Sequence, residues 1–168
     1  MKISRIWSMP NSKTFSIPPI KELINKYLKD EYISIDPFAN DKKIAKITND
    51  INPEFGTNYS LDALDFLKIF EERSIDFILY DPPYSVRQVS ECYKKYGYEV
   101  TNKTTRSDWW TLHKKEISRI IKNEGIVISF GWNSGGIGKT NGFEIIEILL
   151  VPHGGIHNDT IVVVEKKL

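Results

Sequence analysis

Apolar positions along the chain follow two different periods, and the places where one gives way to the other mark its elements. Ile20, Leu23, Ile24, Tyr27 and Leu28 recur at helical spacing behind Ser16 as a cap and Pro18 and Pro19 in a first turn, which predicts an amphipathic helix over Pro19 to Lys29. Tyr32 to Ile35 and Ile44 to Ile47 read as short strands. Leu61, Leu64, Phe66, Leu67 and Phe70, led by Ser60, predict a second helix feeding the run Ile75, Phe77, Ile78, Leu79, Tyr80. That run does not alternate with polar residues, as expected of a strand buried on both faces, and it ends at Asp81 because Pro82 and Pro83 have no N–H to give a ladder. Ser85 to Tyr96 is compatible with a weakly patterned helix. Ser107 caps a better one, Asp108 to Lys122, with Trp110, Ile117, Ile120 and Ile121 inward and Gly125 as its stop. Ile126 to Phe130, Phe143 to Val151 and Thr160 to Glu165 read as strands, the last two joined by the turn-rich PHGGIHND as a hairpin, while Met1 to Ser16 reads as irregular.

Helices alternating with strands predict an α/β fold, a mostly parallel Rossmann-like sheet with an antiparallel C-terminal hairpin. Its first half is expected to be abbreviated. About eight residues connect the first two strands, whereas a helical crossover needs at least about 10–12, so these strands are joined by bare loops or some run antiparallel. The interval from Asp50 to Asp62 is likewise too short for a helix and a strand. One face of that half then needs cover from the helix Pro19 to Lys29 or from a second subunit.

The 168 residues, 40% of them hydrophobic, fit a single domain over 1–168 with no separate target-recognition domain. A net charge of +1 supplies no general basic field, so a nucleic-acid partner has to be held by a local patch. One cysteine, Cys92, excludes an internal disulfide, and with no apolar run of about 18 residues and no leader a soluble, cytoplasmic protein is expected.

Ligands bind α/β sheets at the carboxyl ends of the strands, which puts Asp81, Pro82, Pro83 and Tyr84 on the active-site rim. This DPPY sequence at the end of a buried strand resembles motif IV of the S-adenosylmethionine-dependent amino-methyltransferases, and the chain from Phe15 to Leu168 looks most similar to small phage-type N6-adenine DNA methyltransferases. Phe15 to Ile24 resembles motif X, Asp36, Pro37, Phe38 and Ala39 the start of motif I, and Asp62, Ala63 and Leu64 motif III, in the order of the gamma arrangement. The resemblance implies a Rossmann-like methyltransferase sheet and S-adenosylmethionine as cofactor. It makes Asp36, Pro37, Phe38, Asp50, Asp62 and Ala63 cofactor-binding residues, with Asp36 near the methionine moiety, Asp50 on the ribose hydroxyls and Asp62 near the adenine amine, while Phe38 reads equally well as a core residue. Asp81 and the Pro82 carbonyl would hold the hydrogens of the exocyclic amine, and Tyr84 would stack on the target base. The family's glycine-rich turn is absent, since no glycine lies between Phe38 and Gly56. The implied activity is methylation of adenine N6 in DNA; the alternative is a weak or inactive module that binds DNA or a protein.

Other candidates follow from residue type. Arg87, Lys94 and Lys95, with Lys103 and Arg106, form the basic segment expected to meet DNA, and Asn133 beside Trp132 shares the rim if the topology holds. Sequence choice would then rest on such loops, on a homodimer or on an auxiliary specificity protein. No metal is required. His153, His157 and Asp159 read as a hairpin loop rather than ligands, Cys92 as a small core residue rather than a nucleophile, and Trp109 and Trp110 as packing.

Overall fold

In the computed structural model, which describes residues 1–11, 13–101 and 108–168, seven strands form one sheet in the order β1-β6-β7-β5-β4-β2-β3. The strands are β1 (Lys2–Arg5), β2 (Ser34–Asp36), β3 (Ile47–Thr48), β4 (Ile75–Tyr80), β5 (Ile121–Gly131), β6 (Phe143–Val151) and β7 (Thr160–Lys167). Only β7 runs against its neighbours; β1 with β6, β2 with β3 and β4, and β4 with β5 are parallel. The mixed sheet with an antiparallel C-terminal pair is therefore as expected. The first two strands of the abbreviated half are joined without a helix and still pair in parallel, Ile35 opposite Ile47 and Asp36 opposite Thr48.

The helices are α1 (Pro18–Tyr27), α2 (Ala63–Lys68), α3 (Val86–Lys95) and α4 (Asp108–Ile120). Side chains of β4 alternate between two layers. Phe77 and Leu79 meet Ile20, Leu23 and Ile24 of α1 along with Ile128, Val162 and Val164, whereas Ile75, Ile78 and Tyr80 meet Phe66 and Leu67 of α2 and Ile117 and Ile120 of α4. Each fully buried side chain of this kind contributes about 1.5–3 kcal/mol, so β4 is fixed from both faces. Partly buried Ile44 and Tyr32 extend the α1 layer toward the first strands, and α1 thus supplies the cover that their missing helix would have given.

Several boundaries differ from the sequence reading. The N-terminal segment is not irregular: Lys2–Arg5 is an edge strand whose Ile3 faces solvent, so it lacks the apolar periodicity that marks a buried one. The residue before α1 is Ile17, with no side-chain cap, and Ser16 instead donates its hydroxyl to the Lys13 carbonyl. The second helix begins only at Ala63, capped by Asp62 rather than Ser60. Ser107, the expected cap of α4, lies outside the described residues. Gly125 does not stop α4, which gives way to β5 already at Ile121; between Ile121 and Ile126 the register with β4 shifts. A Cβ on the buried Gly125 would stand 2.6 Å from Ile121 Cγ1 and 2.8 Å from the Lys122 carbonyl oxygen. Gly125→Ala should therefore cost about 1–3 kcal/mol in urea denaturation; an unchanged midpoint would mean that this shift relaxes freely.

Candidate active site

The end of β4 is held from three sides. The Tyr84 hydroxyl donates to Asp81 Oδ1, the Tyr84 N–H donates to Gln88 Oε1 at 2.6 Å, and Trp110 Nε1 of α4 donates to the Pro83 carbonyl at 3.0 Å. Ser85 caps α3 by accepting from the Gln88 N–H, which fixes the helix that follows the two prolines. Burial pushes the Asp81 carboxyl up to about 6, against hydrogen bonds from Tyr84 and Thr14 that favour its charge. The same burial, with the neighbouring carboxylate, holds the Tyr84 phenol far above its ordinary value. Tyr84 is consequently a neutral donor at any working pH, and Asp81 an anion above about pH 6.

On one side of this turn lies a cavity of about 510 Å³ whose wall includes Pro37, Phe38, Asp50, Asp62, Ala63 and all of Asp81 to Tyr84. Ten predicted site residues, counting Lys95, thus converge on one space. Asp36 stands just behind it, fully buried, with Oδ1 accepting from the Phe38 N–H at 2.9 Å and Oδ2 without a partner. Burial raises its carboxyl well above the usual range, and the charges of Asp81 and Asp50 add to that. Asp50 uses both oxygens on backbone donors, accepting from the N–H of Asn40 in the loop before β3 and of Asn52 in its own loop, at 2.9 Å each. Asp62 caps α2 through the Leu64 N–H at 2.9 Å and accepts the Tyr93 hydroxyl, which itself receives Trp109 Nε1 at 3.0 Å.

The glycine-free turn after Phe38 is made by Asn40, whose φ of +56° is left-handed. Asparagine tolerates that region better than any residue but glycine, and the bond from Asn40 to Asp50 fixes it.

A second cavity, of about 280 Å³, lies across the turn, between Pro82, Pro83 and Tyr84 on one side and Trp110, Lys114, Ser129, Trp132 and Asn133 on the other. Tyr84 meets Trp132 edge to face, with ring centroids 5.5 Å apart. The Asp81–Tyr84 turn is thus a partition with a cavity on each side.

No family model matches the sequence, and no curated protein is detectably similar to it. Solved structures do match. TrmN from Thermus thermophilus superposes with a TM-score of 0.61 at 15% identity, over 90% of this chain and 49% of that one. An S-adenosylmethionine-dependent methyltransferase of Methanosarcina mazei gives 0.57 at 15% identity over 87% and 97% of the two chains. The 1,6-didemethyltoxoflavin-N1-methyltransferase of Burkholderia thailandensis, solved with S-adenosylhomocysteine, gives 0.59 at 10% identity over 89% and 76%. The chain has the fold of the S-adenosylmethionine-dependent methyltransferases. It spans about half the length of TrmN and nearly all of the Methanosarcina methyltransferase.

Within this methyltransferase fold the remaining candidates separate. Asn133 lines the second cavity, its Oδ1 accepting from the Gly135 N–H at 2.9 Å. Lys95 reaches the first cavity with its ammonium 5.2 Å from the Tyr96 ring, Lys94 is exposed, and Arg87 is paired with Glu91 one helical turn away at 2.8 Å. Lys103 and Arg106 lie outside the described residues. His153 bonds the Ser8 carbonyl and Thr160 Oγ1 and so ties the hairpin loop to the N-terminal segment. Among the described residues no group of three His, Cys, Asp or Glu side chains could hold a metal, and no helix is long and apolar enough to cross a membrane. Cys92 is half-buried and borders the first cavity rather than the core. Trp109 and Trp110 pack as expected, Trp109 buried with Val89 and Tyr93 and Trp110 against them, and each also borders a cavity, one on either side of the partition. Thr14, Lys114 and Ser129 carry no sequence signal, because only the fold brings them to the site.

Proposed function

We propose that the protein is a single-domain S-adenosylmethionine-dependent methyltransferase acting on the N6 amino group of adenine in DNA. The observation that carries this reading is the partition: Pro82 to Tyr84 borders a large acidic cavity, which Asp81 also lines, on one side and a smaller aromatic one on the other. The larger space suits a cofactor bearing an ammonium and a sulfonium, because Asp50, Asp62 and Asp81 line it and the charges of Asp50 and Asp81 are felt at Asp36 just behind it, where one buried oxygen lacks a partner. Asp36, Pro37 and Phe38 would hold its methionine end, Asp50 its ribose, and Asp62 with Ala63 its adenine. When bound, S-adenosylmethionine supplies a methyl group on positively charged sulfur.

The chain's own residues prepare the acceptor. An exocyclic amine is a poor nucleophile while its lone pair is delocalised into the ring. Asp81 and the Pro82 carbonyl accept its two hydrogens and favour the pyramidal form, a hydrogen bond to a charged group being worth about 1.5–3 kcal/mol. On methylation the amine nitrogen would shed a proton, and the Asp81 carboxylate is the group that would take it. Tyr84 and Trp132 flank the ring; stacking of a base on an aromatic side chain contributes roughly 1–3 kcal/mol, which offsets part of the cost of extruding it from a duplex. Arg87, Lys94, Lys95 and Asn133 would meet the surrounding DNA.

Calorimetry with S-adenosylmethionine, followed by transfer of labelled methyl to mixed DNA, RNA and protein, tests the reading. Binding and incorporation into DNA as N6-methyladenine are expected. A folded protein that gives no heat at millimolar cofactor would sink the enzyme and leave the module that binds without catalysis.

A further inference from the structure

The second cavity holds two polar groups that the proposed chemistry does not use. Ser129, on β5, borders the cavity and is 7% exposed, and its Oγ is buried without a hydrogen-bond partner. A buried hydroxyl left unpaired is costly, so such a group marks a place where something else supplies the partner. Lys114, on α4, borders the same space half-buried, and among the described residues its ammonium makes no hydrogen bond or ion pair. Glu165 is the acid whose charge reaches it, but both Glu165 oxygens are taken by the N–H groups of Ile137 and Gly138, at 2.5 and 2.9 Å. The walls around these groups are Tyr84, Trp110 and Trp132.

We propose that Lys114 and Ser129 determine which ring is accepted, donating to a ring nitrogen of the base whose amine meets Asp81 and Pro82. This rests on the methyltransferase reading of the same site. A lysine ammonium only donates, and the serine hydroxyl can do so too, so the ring edge facing them must carry acceptors. Three aromatic walls select a planar ring over a phosphate or an aliphatic chain. Among amine-bearing bases adenine fits this requirement best, because N1 and N7 lie on either side of the carbon that bears the amine. A ring that keeps the amine but loses the acceptor would leave Lys114 and Ser129 desolvated and unpaired, and such loss is the stronger form of discrimination.

The test uses single-stranded oligonucleotides carrying one adenine, or 7-deazaadenine or 1-deazaadenine in its place, with S-adenosylhomocysteine present. Binding is read from tryptophan fluorescence, since Trp110 and Trp132 border the cavity. The wild-type protein should bind one of the two analogues about tenfold more weakly than adenine. Lys114→Met or Ser129→Ala should bring that ratio close to one, while calorimetric affinity for S-adenosylhomocysteine stays within about twofold. Equal binding of adenine and both analogues by the wild type overturns the proposal without any variant. A ratio unchanged in both variants overturns it too, as does weakening of all three probes by the same factor in Lys114→Met, which is the mark of a phosphate contact. In each of these cases retained S-adenosylhomocysteine binding leaves the methyltransferase reading standing, whereas its absence in the wild type removes both.

Discussion

Asp81→Ala is expected to lower methyl transfer by at least about 10²–10³-fold, the scale seen when one preorganised hydrogen-bonding group is removed from a reacting centre. The loss should lie in kcat as well as kcat/KM, because the acceptor is needed most once the amine has become pyramidal. Affinity for S-adenosylhomocysteine, which lacks the sulfonium charge, should change by less than about tenfold. The wild-type pH profile offers a check without mutation. Burial sets the Asp81 carboxyl at about 6, so kcat/KM should fall about tenfold for each pH step below that value and level off above it. A flat profile from pH 5 to 8, or an alanine variant with a tenth of wild-type activity, would remove Asp81 from the chemistry.

The same residue carries a stability signature of the opposite sense. Its folded value of about 6 lies above the ordinary 3.8, so the folded state holds the proton more tightly than the unfolded chain does. That contribution is fully present below about 3.8 and is lost as the pH rises through about 6, when the buried group must ionise. Asp81→Asn stays neutral and its carbonyl can still accept the Tyr84 hydroxyl. It should therefore unfold later than the wild type at pH 8, by about 1–3 kcal/mol, and the difference should close near pH 4. Stability gained together with activity lost is what a residue kept for chemistry would give.

What could be read in advance followed from local constraints. β4 and its end at Asp81 are legible because an apolar run and two prolines permit little else, and the helix-free link between β2 and β3 because so short a connection does not hold a helical crossover. β1 was not legible: its Ile3 is 59% exposed, so parallel pairing with β6 rather than burial makes it a strand. The turn after Phe38 is hard to read from sequence for a different reason. Glycine is the usual solution to a left-handed position, and here Asn40 takes it with help from Asp50, a partner ten residues away. Asp62 shows how a motif can carry two meanings, since the acid that the resemblance ties to the cofactor also caps α2 and anchors Tyr93. Lys114 and Ser129 lie on different elements with unremarkable neighbours in sequence, and only the close packing of α4 on β5 gives them a common space.

Asn49→Leu should have the largest effect on stability, because this one side chain ties together the two loops that flank the short strand β3. Asn49 is fully buried at the end of β3. Its Nδ2 donates to the carbonyls of Pro37 at 3.1 Å and Leu61 at 3.0 Å, and its Oδ1 accepts from the Leu61 N–H at 2.9 Å. Its main chain donates to the Asp36 carbonyl and accepts from the Ala39 N–H, and it forms an isolated parallel bridge to Tyr59. The amide thereby joins two loops that both line the larger cavity, one after β2 and one before α2. Leucine is of similar volume and would leave three backbone groups without these partners, at about 1–3 kcal/mol for each that stays buried. Solvent reaching part of the loop reduces the sum, so a loss of about 3–5 kcal/mol in urea denaturation is expected. Cofactor affinity should fall with it, since Pro37 and Leu61 would no longer be held at a fixed separation. Tyr59→Ala offers a contrast: its ring is 41% exposed and its part in the bridge is main-chain, so it should cost markedly less. If Asn49→Leu lost under 1 kcal/mol and kept its cofactor affinity, the two loops would be positioned by their own turns, and the abbreviated half of the sheet would not depend on a side-chain clamp.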